Sequence, residues 1–139
     1  MSIRQLLVTG ALAALMVGSV PAGAAPTQEE HKTWCVLASF QVSQVASVYT
    51  SEHIGKQVTQ HLAGAKVFLP AQPGLTQEWI RASIARHASN TLRSNDCPLD
   101  VDGATSSVAS GGTGFWVQIT AKDSDAAKEI LGRARQLVR

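Results

Sequence analysis

Charge and aromatic side chains are both scarce in this sequence of 139 residues: Asp, Glu, Lys and Arg make up 16% of it, and Phe, Trp and Tyr 5%. The formal net charge is only +2, too little to mark DNA, RNA or an anionic membrane as a dedicated partner. With 45% apolar residues, the composition is that of an ordinary globular domain and excludes collagen, coiled coil and a disordered chain. Catalytic signatures are missing too. The sequence holds no Gly-x-Ser-x-Gly elbow and no Cys-x-x-Cys pair. Nor does Gly111-Gly112-Thr113-Gly114 have the spacing, or the following Lys-Ser/Thr, of a phosphate cradle. The nucleophile, redox and phosphate chemistries that need those spacings therefore have no local support, and the glycine cluster reads as a turn.

Long hydrophobic runs are also absent. The longest, residues 6–20, has about 15 positions interrupted by glycine, serine and threonine, short of the roughly 20 that a membrane-spanning helix needs. Arg4 precedes it and Ala22-Gly23-Ala24 follows it, the order of a cleaved secretory leader. Residues 1–24 are therefore expected to be a Sec-type signal peptide, and residues 25–139 a single small domain. No cysteine stands at the cleavage point, so a lipid anchor is not expected. The product should be periplasmic or secreted, without a permanent membrane anchor.

Only two cysteines are present, Cys35 and Cys97. In an exported chain they are expected to form one disulfide, with the connectivity forced. Closing a loop over a separation of 62 residues would remove unfolded-chain entropy worth about 4 kcal/mol in the chain-entropy description. A domain of this size buries only about two thirds of its surface, so such a staple matters.

Residues 28–63 read mostly as helix, with a kink at Gly55. The set Trp34, Val36, Ala38, Phe40 and Val42 alternates as a strand would, but no turn signal appears between Thr33 and Gly55 and an unbroken strand would be too long. Gly64 reads as a helix stop, Lys66 to Leu69 as a short extended piece, and Pro70 to Gly74 as loop. A second helix capped by Thr76 would carry Trp79, Ile80, Ser83, Ile84, His87 and Thr91 on one stripe, with Trp79 in the core, and end between Leu92 and Asn95. Leu99, Val101 and Val108, followed by the glycine turn and Phe115 to Thr120, read as a hairpin that leaves Trp116 partly exposed. A last helix from Ser124 to Val138, capped by Asp123 or Ser124, would bury Ala126, Ala127, Ile130, Leu131, Ala134, Leu137 and Val138. Glu129 and Arg133 should pair on it. The fold class is α+β: two or three helices packed on a small antiparallel sheet or β-hairpin, with one disulfide.

Candidate sites are few. Four histidines are present, but His53 and His61 are too far apart to share a metal ion on one helix, and all four read as exposed side chains. His31, Cys35, Cys97 and Asp100 could hold zinc or copper if the thiols stayed reduced. Asp100-Val101-Asp102-Gly103 is a fragment of a calcium loop without its closing Glu. Arg81, Arg86, Arg93, Lys128, Arg133, Arg135 and Arg139 fall on or beside the second and last helices and could share an exposed face, while Trp34 or Trp116 could present an aromatic surface to a partner or sugar ring. The segments around Trp34 to Phe40 and Phe115 to Val138 are similar, in a few residues, to SPOR peptidoglycan-binding domains; the long middle is unmatched. These readings favour a small exported, non-enzymatic accessory or binding protein without a cofactor, its partner a protein or envelope component and not a nucleic acid. A metal-binding protein and an envelope-polymer binding module are the alternatives, with a hydrolase assembled from distant residues behind them.

Overall fold

The computed structural model describes residues 35–138. The expected leader, His31, Trp34 and Arg139 lie outside the described residues. From Cys35 the chain makes a short 3-10 turn, Val36–Ser39, and then two long strands, β1 (Gln44–Ile54) and β2 (Gln57–Pro70), paired antiparallel. The helix expected over 28–63 is thus overturned wherever it is described. Gly55 does not kink a helix; it has φ 62° and opens a two-residue hairpin turn. Both favoured hairpin turns need a positive φ at that first position, which glycine adopts without a Cβ penalty. Val45, Val48, Tyr49, Thr50, Val58 and Thr59 supply the β-branched and aromatic side chains that suit extended backbone.

Helix α1 (Gln77–Ala88), a 3-10 turn (Pro98–Asp100), strands β3 (Thr105–Ser110) and β4 (Gly114–Thr120), and helix α2 (Ser124–Arg135) complete the described chain. The sheet is antiparallel throughout, in the order β1-β2-β4-β3. The architecture is the expected α+β class, with two helices on one face of a four-stranded sheet. Inside, Ala65, Val67 and Leu69 of β2, Val117 and Ile119 of β4 and Val108 of β3 meet Ile80 and Ile84 of α1 and Ile130 and Ala134 of α2.

Both caps form as the sequence predicts. Thr76 Oγ1 accepts a hydrogen bond from the Trp79 amide at 3.1 Å, and an Asp123 carboxylate oxygen accepts from the amides of Asp125 and Ala126. Helix α1 stops about a turn early, so Thr91 is not on it. The Asn90 side chain accepts from the Leu92 amide, a local bond that competes with helix continuation, and the chain turns back towards Cys97. Trp79 is not core but 49% exposed, standing edge-on to Phe40 with ring centroids 5.4 Å apart. Leu99 and Val101 precede the second hairpin instead of entering it, because Pro98 opens a 3-10 turn there. On α2 the stripe buries Ala127, Ile130 and Ala134, while Val138 at its end is exposed.

Gly64 is no helix stop. It pairs with Val48, the next pair is Tyr49 with Leu62, and Ala63 is the extra residue of a bulge in β2. The freed Ala63 carbonyl accepts from the Ala121 amide at 2.9 Å. Gly64 presses so closely on β4 that a Cβ there would run into the Ile119 carbonyl oxygen. Beyond the bulge β4 no longer accompanies β2, and the first hairpin continues as a two-stranded arm whose residues 49–61 are all exposed.

Candidate functional site: the outer face of the sheet

Residues paired across an antiparallel sheet share a face, so the register defines what the side away from the helices presents. One row runs Gln44, Phe68, Trp116, Ala109; the next runs Ala46, Lys66, Gln118, Ser107. Val48, Gly64, Thr120 and Thr105 make a third. Trp116 is half-buried at the centre, as the hairpin reading required. The Phe68 ring centroid is 4.9 Å from that of Trp116, tilted by 52°, and Lys66 Nζ stands 4.7 Å from the indole centroid. Gly111 gives the indole room, since a Cβ at that position would meet its Cδ1 edge. The result is an aromatic pair and a cation held on rigid strands, flanked by the amides of Gln44 and Gln118. A cation–π contact at such a half-buried surface site is worth only about 0.5–2 kcal/mol, so Lys66 can leave the ring to meet a ligand.

On the opposite side of the sheet is a buried polar cluster. Cys35 and Cys97 form the disulfide, with Cα atoms 5.2 Å apart. His87, on the last turn of α1, directs Nε2 to Asp100 Oδ1 at 2.9 Å and lies 3.6 Å from Cys97 Sγ. Asp100 Oδ2 accepts from the Ser94 amide at 2.8 Å. The His87 and Asp100 side chains are only 6% and 9% exposed, which corrects the reading of all four histidines as exposed. Arg133 braces the same region by donating to the Cys97 carbonyl at 3.0 Å and pairing with Glu129.

His87, Cys97 and Asp100 place donor atoms within 4.8 Å of one another. Of the four ligands read from the sequence, His31 lies outside the described residues, and His87 occupies the position beside the sulfur and carboxylate. The donor set does not fit a metal in this state. A metal needs thiolates, whereas both sulfurs are committed to each other, and His87 and Asp100 are committed to their own hydrogen bond. Cys35 and Cys97 are buried, so thiol reagents have no open approach.

The calcium-loop fragment is split. Asp100 points inward, while Asp102 is exposed and lies 3.3 Å from Arg93. The arginines do not gather into one binding face. Arg93 pairs with Asp102, Arg81 donates to the Val108 carbonyl, and Arg86 and Arg135 sit in the last turns of different helices. None joins Trp116 on the outer face. Lys66 and Phe68 were missed by the sequence reading, although their alternation with Ala65, Val67 and Leu69 was the signal that would have placed them outward. At the base of the arm, Tyr49, Glu52 and His61 face Asp102, Lys122 and Asp123 across an open cleft. Comparison with protein-family models, with characterised proteins and with solved structures finds no match.

Proposed function

We propose that this is a small exported, non-enzymatic binding protein of the periplasm, locked by its disulfide, whose outer sheet face takes an envelope partner. The observation that carries the reading is the cluster of Phe68, Trp116 and Lys66, from two neighbouring rows of the outer face, on a sheet whose helices both lie on the other side. The leader-like order of residues 1–24 in the sequence and the Cys35–Cys97 disulfide support export. Among the described residues no helix is long and apolar enough to cross a membrane.

The chemistry of that cluster favours a cell-wall polymer as the partner. A pyranose ring offers C–H groups to an aromatic face and hydroxyls to Lys66, Gln44 and Gln118, which suits a surface with few charges. Co-sedimentation with isolated cell-wall polymer tests this. The wild type should pellet with the polymer, Trp116→Ala should lose most of the binding, and Arg135→Ala, on the helix side, should retain it. Equal retention of all three proteins in the supernatant would reject the polymer. Bound metal together with two free thiols in the native protein would instead favour the metal-binding alternative.

A further inference from the structure

The two edges of the sheet are finished differently. At β3 the Val108 carbonyl is plugged by α1, accepting from Gln77 Nε2 at 2.8 Å and from Arg81 at 3.1 Å. At β1 nothing comparable occurs: among the described residues, no hydrogen bond is made to its outer edge. That edge is 11 residues long, against 6 for β3, and contains neither proline nor lysine, two of the devices that stop strands from pairing with other chains; Glu52 is its one carboxylate. Its far half belongs to the arm, and an isolated two-stranded ribbon is marginal in water. Tyr49 and Ile54 are 59% and 63% exposed there.

We infer that β1 pairs antiparallel with β1 of a second copy about a two-fold axis at Tyr49, joining two sheets into one of eight strands. The sequence of β1 suits self-pairing in this register. Tyr49 meets its own copy, Ser47 meets Ser51 of the partner subunit, Ala46 meets Glu52 of the partner subunit, and Gln44 meets Ile54 of the partner subunit. Glu52 is the one carboxylate of the strand, and in this register its two copies stay apart, each beside a small neutral residue. A two-fold edge contact is also closed, so it makes a dimer and not a fibre. Each arm gains support along its bare edge, and the outer faces of the two copies become continuous. The inference does not depend on what that face binds.

The test is sedimentation equilibrium of the oxidised protein over a range of concentrations, with two substitutions at Ala46. Its neighbour within the chain is Lys66, whereas its neighbour across the axis is Glu52 of the partner subunit. Ala46→Glu therefore gains an attraction inside the monomer and a repulsion in the dimer, so a loss of association cannot be ascribed to misfolding. The wild type should be a dimer whose dissociation constant Ala46→Glu raises about tenfold, through two symmetric contacts, and Ala46→Lys should not raise it. A wild type that stays monomeric up to millimolar concentration would overturn the inference. So would a dimer indifferent to Ala46→Glu, which would place the contact on another surface.

Discussion

Ile130 has no exposed surface and sits on α2 among Ala127, Ala134 and the inner face of the sheet. Ile130→Ala should cost about 2–5 kcal/mol, since the loss of burial is compounded by a cavity the surrounding strands cannot close. Lys128→Ala and Arg135→Ala, on exposed faces of the same helix, should each change stability by less than about 0.5 kcal/mol. Denaturant melts of the three variants measure this, and equal losses would contradict the packing. Gly64 is the other residue whose identity is dictated by contact. Gly64→Ala should lower stability by more than about 1 kcal/mol, because its Cβ would meet the backbone of Ile119 and Thr120, which cannot give way as a flexible side chain would. At the buried polar cluster, Asp100→Ala removes the acceptor of both His87 and the Ser94 amide. The substitution should cost about 1–3 kcal/mol in the same melts, because a buried charge-assisted hydrogen bond is lost.

At the scale of elements, legibility tracked burial. Helix α2 and strand β4 were readable because each has one buried and one exposed side, which writes the 3.6 and 2.0 periods into the sequence. Helix α1 was readable up to the Asn90 turn, whose local side-chain bond leaves no periodic trace. The long hairpin was not readable as such. In the arm, residues 49–61 are wet on both faces, so nothing selects an alternating pattern, and the polar Thr, Ser, Gln and Glu there are equally compatible with a solvated helix. Gly55 fits a helix kink and a turn between two β-branched stretches equally well, and only strand pairing decides between them. The hydrogen-exchange behaviour of the two halves should differ accordingly. Amides of β2 from Ala65 to Phe68, flanked by strands on both sides, should be protected far longer than those of residues 50–60. Dimerisation along β1 should raise protection in the arm at high protein concentration.

At the scale of the whole molecule, the disulfide ties the start of the described chain to the turn that follows α1, and His87, Asp100 and Arg133 all converge on Cys97 or its neighbours. The pairing was forced by the cysteine count, whereas the histidine beside it was not foreseeable: His87 and Asp100 are 13 residues apart and meet only because the chain folds back after Asn90. Cys97→Ser should cost about 2–5 kcal/mol, and mapping of the unreduced protein should find one linked peptide. Export should leave a mature N-terminus at Ala25 or Pro26, measurable by N-terminal sequencing of the extracytoplasmic protein. The binding surface itself is a whole-molecule property, because Phe68 and Trp116 come from strands that only the sheet register brings together. Its most direct test is two-dimensional NMR of the labelled, oxidised protein titrated with soluble cell-wall fragments. The Trp116 indole signal and the amides of Lys66, Phe68 and Gln118 should shift, while the Trp79 indole on α1 should stay in place. Shifts confined to the helices, or none at all, would contradict the assignment of the outer sheet face as the site of binding.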